Sequence, residues 1–384
     1  FDYTGHFLHL SRFATPADVP FAGLKNSDWQ GINRRSCCYV GDRLITAPIQ
    51  YHLGELPDPM LKACVDSYNA RPALPDAKPI SFRDYIISGF GQYLADLFLI
   101  PQNEKTMATS LDRLSIQAVK RFFPAPDEDR VRAGMRGEAI SGSEYNATFW
   151  YPKTGGIELL VQGLAAGVKD LRLQEETIAI DLAQHELRTG SGHTFTWDSL
   201  LSSIPLLDLC RIANDRELND AANHLSHSST ISINIGIRGE LAPELRDLHW
   251  IYLPDRSIPF YRVGFYSNIS RGTCATGHSA MYVEVGEPGE TIDQINLLDD
   301  LEPKVYESLQ RLGWLKRDQV VCSVAHVIRC AYVHHTPERD RLMEQILTRL
   351  REYDIHPIGR YGRWDYTSME DSIESGISAA RELV

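Results

Sequence analysis

Long hydrophobic runs, paired cysteine motifs and surplus positive charge are all missing from this sequence. The longest apolar stretches, such as residues 97–100, are far too short to cross a bilayer, so no membrane span is predicted. No CxxC pair occurs among the seven cysteines, which disfavours a structural zinc site. The net charge is −12, which disfavours nucleic acid or an anionic membrane as a partner.

The motifs of several large enzyme classes are missing as well. The sequence contains no Walker motif, HExxH, GxSxG or GxGxxG. Three histidines could bind a metal: His326, His334 and His335. They have no carboxylate or cysteine nearby at a spacing suited to a shared ion, so no metal site is predicted. A Ser-His-Asp triad stays open, because such a triad is assembled in space rather than in sequence.

The composition is that of a folded protein with two or three domains. The chain has 384 residues, of which 43% are hydrophobic and 23% are charged. It begins Phe1-Asp2-Tyr3, with no initiator Met and no signal peptide, so it reads like the middle of a protein. The odd number of cysteines favours reduced thiols in a cytoplasmic protein, and adjacent Cys37 and Cys38 are expected on opposite faces of a strand.

Periodicity and turn residues predict strands and helices in alternating blocks. Capping boxes at 81–84 and 109–112 open helical segments, the first ending before the break at 101–105 and the second running through Phe122. The remaining predictions are a hairpin at 35–45, a helix at 57–69, a meander at 170–196, a buried strand at 200–204, a helix from Leu206, strands at 230–237, 249–253, 260–266, 279–285 and 320–333, and helices at 301–313 and 337–352.

Two glycine-containing turns precede predicted helices and suit a ligand. Gly155-Gly156 opens a helix at Ile157, where the glycines permit either ligand approach or tight helix packing. Residues 359–371 follow a short strand and lead into a helix that begins at Ser368, beside Arg360 and Arg363. Since a helix N-terminus carries unpaired N–H groups and partial positive charge, it favours an anion or an electron-rich ring, although an ordinary strand–helix connection fits equally well.

Five collinear stretches resemble the FAD-dependent amine oxidase superfamily, close to its protoporphyrinogen-oxidase-like and UDP-galactopyranose-mutase-like members. Residues 2–9 (DYTGHFLH) resemble the segment beside the flavin ring, and residues 101–105 (PQNEK) resemble a Pro-Tyr-Asn-x-Lys turn with Gln102 in place of Tyr. Residues 151–158 resemble a Tyr-Pro-x-Gly-Gly segment, and Asp198 with residues 202–205 resembles a strand that returns to the cofactor domain. Residues 359–371 resemble the C-terminal flavin-binding motif, the most specific of the five.

The resemblance implies an α/β fold: a glutathione-reductase-like, Rossmann-type FAD-binding domain, incomplete at its N-terminus, with an α+β substrate domain and a helical insertion. One departure is that the family's initial strand, GxGxxG turn and helix have no counterpart here, so residues 1–384 alone are expected to bind FAD weakly or not at all. The expected domains are FAD-binding at 1–50, helical cap at 51–125, FAD-binding with the meander at 126–225, substrate domain at 226–335 and FAD-binding at 336–384.

The resemblance also implies FAD as the cofactor, a small molecule as the substrate and a set of site residues. The cofactor residues it implies are Thr4, Gly5, His6, Gly155, Gly156, Gly359, Arg360, Ser368 and Met369. The substrate residues it implies are Tyr151, Tyr261, Arg262, Tyr332 and Trp364.

Three functions stay open at this point. The favoured one is an oxidoreductase that takes a hydride from a C–N or C–C bond; it needs an aromatic pocket, for which Phe260, Phe265 and Tyr266 are further candidates. The second is a mutase-like enzyme that uses reduced flavin on a nucleotide sugar; it needs arginines for a diphosphate, for which Arg271 and Arg329 are further candidates. The third is a flavin-less binding protein or fragment. The substrate, the electron acceptor and the oligomeric state are not predicted.

Overall fold

The computed structural model describes residues 1–74, 80–118, 123–138, 147–289 and 297–383 as a mixed α/β fold with one large sheet. The strands are β1 (Trp29–Asn33), β2 (Ser36–Val40), β3 (Arg43–Thr46), β4 (Thr148–Pro152), β5 (Thr177–Asp181), β6 (Glu186–Thr189), β7 (Thr194–Thr196), β8 (Leu200–Ser202), β9 (His227–Arg238), β10 (Trp250–Tyr252), β11 (Arg262–Gly264), β12 (His278–Pro288), β13 (Val320–Val333) and β14 (Ile355–Pro357).

Among the described residues, five helices lie between β3 and β4, and the others lie between the later strands or after β14. The helices are α1 (Asp58–Asn69), α2 (Phe82–Phe90), α3 (Gln92–Leu94), α4 (Ile100–Met107), α5 (Glu128–Met135), α6 (Glu158–Ala165), α7 (Leu206–Ala213), α8 (Arg216–Ala222), α9 (Tyr266–Ile269), α10 (Leu297–Arg311), α11 (Arg339–Arg351), α12 (Gly359–Gly362) and α13 (Met369–Leu383). A π-helical turn, Ala95–Leu99, joins α3 to α4.

The large sheet has seven strands in the order β13-β9-β12-β11-β10-β2-β3, and its two faces differ in chemistry. Successive side chains of a strand point to opposite faces, so β9 divides its residues by parity. Ile231, Ile233, Ile235 and Ile237 pack into an apolar core with α10, whereas the alternating residues Ser232 and Asn234 lie on the other face. The sheet therefore has one apolar face and one polar face, and the polar face carries the candidate site.

Residues 2–7 cross the polar face of the sheet, and we call them the crossing segment. The carbonyl oxygen of Asp2 accepts a hydrogen bond from Asn234 Nδ2 on β9 at 3.0 Å. Thr4 Oγ1 donates to Glu284 on β12. The ring of Phe7 stacks on Trp250 of β10, with 5.2 Å between ring centroids. The segment is thus held in register across three strands.

The helical layer between β3 and β4 differs from the prediction in two places. Pro101 does not break the helix: it lies in the first turn of α4, where a missing N–H is tolerated, directly after the π-helical turn. The box predicted between Thr109 and Asp112 is replaced by a cap one residue later: the N-cap is Ser110, whose Oγ accepts from Asp112 N at 3.3 Å. It opens the 3₁₀ turn Leu111–Arg113 and not a long helix, and the end predicted at Phe122 lies outside the described residues.

Most other sequence predictions are confirmed. The hairpin forms as β2 and β3, the meander forms as β5, β6 and β7, and the Ser81–Asp84 box caps α2. Cys37 packs on the apolar face of the large sheet, while Cys38 lies in the core of the helical layer, so the two do point to opposite faces. β8 and β14 form a two-stranded parallel sheet that packs near α7 and α11.

Neither a membrane span nor a metal cluster occurs among the described residues. None of the described helices is both long enough and apolar enough to cross a membrane. Within the same residues, no group of three or more His, Cys, Asp or Glu side chains is arranged to hold a metal ion. All seven cysteines are free thiols.

Candidate active site

A buried ion pair stands at the centre of the polar face. Arg262 on β11 and Glu284 on β12 are directly opposite each other in the antiparallel register. The guanidinium donates two parallel hydrogen bonds to the carboxylate, at 2.7 Å from Nε and 2.6 Å from Nη2. Only 1% of the Glu284 side chain and 16% of the Arg262 side chain are exposed, so the pair is almost fully withdrawn from water.

Glu284 stays ionised in this position. Burial alone would raise its pKa, but the charge and hydrogen bonds of Arg262, with the hydrogen bond from Thr4, hold the pKa below its usual value. Burial likewise acts to lower the pKa of Arg262, and the charge of Glu284 outweighs it. Thr4 was implied as a cofactor residue; in the structure its hydroxyl is bonded to Glu284.

Tyrosine rings surround the ion pair. Tyr261 and Tyr282 are buried, and burial raises the pKa of both phenols. Tyr332 and Tyr366 are half-buried and lie with ring centroids 5.4 Å apart. The Tyr282 hydroxyl is buried without a hydrogen-bond partner among the described residues.

Arg360 connects the C-terminal motif, residues 359–371, to the tyrosine rings around the ion pair. Its guanidinium lies over the ring of Tyr366, 4.6 Å from the centroid. It also donates to the carbonyl oxygens of Thr367 at 2.8 Å and Ala331 at 2.7 Å. Arg360 therefore holds the loop before α13 against the end of β13, and it adds a second cation near Arg262.

His6 combines an accessible side chain with a desolvated environment. Its side chain is exposed, yet desolvation lowers its pKa, and the charges of Arg262 and Arg360 lower it further against the opposing charge of Glu284. The structure therefore brings His6, Arg262, Glu284 and Arg360 together, and we call these four the charged cluster.

Gly5 and Gly264 both lie directly against the ring of Tyr282. A Cβ at Gly5 would lie 2.5 Å from Tyr282 Cζ, and a Cβ at Gly264 would overlap the same ring. Gly5 thus allows the crossing segment to lie directly on Tyr282. The structure gives this glycine a packing role against Tyr282.

The turn at Gly155-Gly156 is occupied by a carboxylate of the same chain. Both glycines have positive φ, +86° and +75°, which other residues adopt only with strain. Asp2 accepts hydrogen bonds there from Ile157 N at 3.2 Å and from the Tyr151 hydroxyl at 2.7 Å. Tyr151, implied as a substrate residue, is buried and bonded to Asp2. The turn does bind an anion, as its geometry suggests, but the anion is Asp2.

The N-terminus of α13 is capped by groups of the chain, and its second residue, Glu370, binds the loop after the crossing segment. The predicted capping box is confirmed: Ser368 Oγ accepts from Asp371 N at 3.2 Å, and Ser368 N donates to Asp371 Oδ2 at 2.9 Å. Glu370 is 1% exposed and accepts backbone hydrogen bonds from residues 11–13. Met369 is half-buried against the same region. This helix start therefore ties α13 to the loop after the crossing segment.

Gly359 immediately precedes Arg360 of the charged cluster, whereas the side chain of Trp364 packs into a different core. Gly359 has φ +68° at the start of α12, and its N–H donates to Ser375 Oγ at 3.0 Å. Trp364 is completely buried in the core formed with α7 and α11. Neither residue has a described contact with His6, Arg262 or Glu284.

The further candidates for the substrate pocket do not all lie on the polar face of the sheet. Phe260 and Phe265 lie in the apolar core beneath α10, whereas Tyr266 reaches the polar face and bonds the Asp2 carbonyl at 3.4 Å. Arg271 and Arg329 are exposed.

Three carboxylates with structural roles were not predicted as such from the sequence: Glu284, Asp2 and Glu370. The sequence does contain a signal for the buried role of Glu284, because it is the single acidic residue in an apolar strand, MYVEV. Asp2 and Glu370 had none, since each bonds groups that are far away along the chain.

The fold has counterparts among solved structures. No protein-family model matches the sequence. A solved structure of reduced UDP-galactopyranose mutase matches with a TM-score of 0.88 and 25% identity, covering 99% of this chain and 82% of that one.

Two more distant structures share the fold. A putative protoporphyrinogen oxidase from Exiguobacterium sp. 255-15 matches with a TM-score of 0.69 and 15% identity, over 94% of this chain and 82% of that one. Cyclohexylamine oxidase from Brevibacterium oxydans IH-35A matches with a TM-score of 0.62 and 12% identity, over 100% and 87%. All three neighbours are FAD-dependent flavoproteins of the amine oxidase superfamily, which is the resemblance and the cofactor class indicated by the sequence motifs.

Proposed function

We propose that this protein is a FAD-dependent enzyme of the mutase type, acting on a nucleotide sugar without net oxidation or reduction. The observation that carries the proposal is the likeness to reduced UDP-galactopyranose mutase over 99% of the chain. The sequence motifs favoured an oxidoreductase, but the two oxidase neighbours are below 25% identity and support the fold alone. The charged cluster adds local support, because it offers two arginines to an anionic substrate.

The described residues fit a flavin beside the charged cluster. His6 is accessible within a desolvating environment, and the buried Tyr282 hydroxyl has no partner among the described residues. Both features are expected of groups that line a cofactor cavity. Thr4, Gly5, His6 and Arg360 are the residues that we propose to hold the ring, and the reduced flavin would supply the nucleophile for the sugar.

The chain's own residues have separate roles in this proposal. Arg262 and Arg360 stabilise the negative charge of the diphosphate. Glu284 and Thr4 fix the orientation of the Arg262 guanidinium, whose planar fork they hold in the sheet. The tyrosine rings keep water away from this region, and α1 to α4 form the layer that borders it.

The test uses residues 1–384 with FAD supplied in excess. UDP-galactopyranose is incubated with the protein in two states, with the flavin oxidised and with the flavin chemically reduced, and the products are separated by chromatography. We expect a ring-contracted isomer only in the reduced sample. His6→Asn should lose this product, while the control His278→Asn, on β12 of the same sheet, should keep it.

Two results would contradict the proposal. Retention of no flavin, with no product in either state, would favour a flavin-less binding protein. Bleaching of the oxidised flavin by a substrate would favour hydride transfer. This second candidate is supported by the tyrosine wall, which could hold an apolar amine, so cyclohexylamine should be included as a substrate.

A further inference from the structure

A glutamine on α4 carries a buried amide oxygen that has no hydrogen-bond partner among the described residues. Gln102 is 6% exposed, and its Nε2 donates to the carbonyl oxygen of Tyr261 at 3.0 Å. Because only the NH₂ group can donate to that carbonyl, the orientation of the amide is fixed, and Oε1 is the atom without a partner. A buried acceptor in this state is costly, so a ligand that donates an N–H or O–H group to it would be stabilised.

The helical layer directs Gln102 towards the large sheet. α4 follows the π-helical turn Ala95–Leu99, and turns of this kind are frequent at functional sites. Residues three apart share one face of a helix, and Lys105, three positions after Gln102, bonds the carbonyl oxygen of Phe260 at 2.6 Å. Phe260 and Tyr261 both belong to the connection between β10 and β11. The face of α4 that carries Gln102 therefore packs on that connection.

The residue that Gln102 bonds is next to the charged cluster. Tyr261 directly precedes Arg262, so the Gln102 amide is held beside the start of β11. Two of the tyrosine rings around the ion pair, those of Tyr332 and Tyr366, pack against the core of the helical layer. The helical layer, the charged cluster and the tyrosine rings therefore meet in this region.

The two parts of a nucleotide sugar match the two kinds of group in this region. The diphosphate offers acceptor oxygens, which suit the guanidinium groups of Arg262 and Arg360. The sugar carries hydroxyl groups, which can donate to an amide oxygen. Since an amide oxygen only accepts, an ionised diphosphate cannot bond Gln102 Oε1. The unpartnered oxygen thus favours the sugar over the phosphates.

We propose that Gln102 Oε1 accepts a hydrogen bond from a hydroxyl group of the substrate's sugar, and that this contact makes the site selective for the sugar portion of the substrate. The class of ligand follows from the mutase function proposed above. The contact is particular to this chain, because Gln102 stands where the resembling turn has Tyr.

Calorimetry on residues 1–384 with FAD in excess tests the contact, with UDP-galactopyranose and UDP as ligands. Gln102→Met keeps the size of the side chain and removes the amide. We expect UDP-galactopyranose to bind about fivefold more weakly and UDP to bind as it does to wild type. Gln92→Met is the matched control, because Gln92 is exposed on α3 of the same layer and bonds Asp96 at 2.8 Å. It should bind both ligands normally.

Two measurements show whether a weaker affinity comes from the lost contact or from a damaged fold. Urea unfolding of Gln102→Met should give the wild-type midpoint, because the Tyr261 carbonyl keeps a second donor, Leu253 N at 3.0 Å. Analogues of UDP-galactopyranose that lack one sugar hydroxyl test the wild type itself. One analogue should bind wild type about fivefold more weakly than the parent, and Gln102→Met should bind that analogue and the parent equally.

Three results would overturn the contact: unchanged affinity of Gln102→Met for UDP-galactopyranose, equal weakening of both ligands, or wild-type protein that binds every deoxy analogue as tightly as the parent. Failure of the mutase proposal has a different signature. A loss of affinity limited to UDP-galactopyranose, without ring-contracted product from the reduced protein, leaves the sugar contact standing. Product formed by wild type and Gln102→Met with the same KM would remove the contact and leave the mutase activity. Wild-type protein that binds neither ligand would contradict both.

Discussion

Arg262 and Glu284 face each other across β11 and β12 with two hydrogen bonds of 2.7 Å and 2.6 Å, and water reaches neither group freely. Such a pair is not evidence of stability by itself, because desolvation offsets much of its attraction. The two residues instead depend strictly on each other. Removing either partner leaves the other as a buried charge without a counter-charge, which destabilises the sheet.

Removal of the Glu284 charge should therefore destabilise the fold strongly. Glu284→Gln leaves a buried guanidinium without its counter-charge, and we expect a loss of about 3–5 kcal/mol in the free energy of unfolding. Urea denaturation monitored by tryptophan fluorescence measures this loss. Glu240→Gln is the control, because Glu240 pairs with Arg246 at the surface and should cost at most about 1 kcal/mol. Similar losses in the two variants would show that the buried pair is not required.

The two adjacent glycines of the Asp2 turn provide a second test. Gly155 and Gly156 both have positive φ, so alanine at either position should cost about 1–2 kcal/mol of backbone strain. Only at Gly156 would the new Cβ also meet Asp2, at 2.5 Å from Oδ1; at Gly155 nothing lies within 4 Å. Gly156→Ala should therefore be the more destabilising by chemical denaturation. Equal effects would mean that Asp2 does not depend on the space at Gly156.

Local features of this fold could be predicted from sequence, because their causes lie within a few residues. The box at Ser368 and Asp371 and the helix after Gly155-Gly156 both formed as their patterns indicated. Pro101 failed as a helix breaker because a proline in the first turn of a helix costs no hydrogen bond, and the π-helical turn before it is not visible in sequence.

The candidate site could be predicted only in part. The motif at residues 2–9 implied His6, and Arg262 was a candidate for binding a diphosphate, whereas Glu284, the partner that holds Arg262, was not predicted. Thr4 and Glu284 are 280 positions apart in sequence, and Ser11 and Glu370 are 359 apart. Contacts of this kind arise from the tertiary fold, so a single sequence contains no local pattern for them. The Gly155-Gly156 turn holds the Asp2 carboxylate, and the start of α13 is capped by Ser368 and Asp371, so groups of the same chain fill both helix starts.

Lys105 should stabilise the connection between β10 and β11. Its ammonium group donates to the carbonyl oxygens of Leu253 at 2.7 Å, Asp255 at 2.9 Å and Phe260 at 2.6 Å. Lys105→Met keeps the apolar stem and removes all three donors, so we expect a loss of about 3 kcal/mol by urea denaturation. Lys62→Met is the matched control, since Lys62 pairs with Asp66 on the exposed face of α1. A loss no larger than that of Lys62→Met would contradict the structural role of Lys105.

Glu370 should make the stability of the protein depend on pH in the acidic range. Hydrogen bonds from Ser11, Arg12 and Phe13 outweigh desolvation and hold the pKa of Glu370 below its ordinary value of 4.5. A carboxylate whose pKa is lowered on folding contributes stability that is fully present above the unfolded pKa. That contribution is lost as the pH falls through the lower pKa of the folded state.

Glu370→Gln should therefore lower the free energy of unfolding by about 2 kcal/mol at neutral pH, and the difference from wild type should shrink below pH 4.5. Glu374→Gln, half-buried on the same helix, is the control, and urea denaturation from pH 7 to pH 3 provides the comparison. A difference between wild type and Glu370→Gln that stays constant over that range would show that the ionised carboxylate does not hold residues 11–13 to α13.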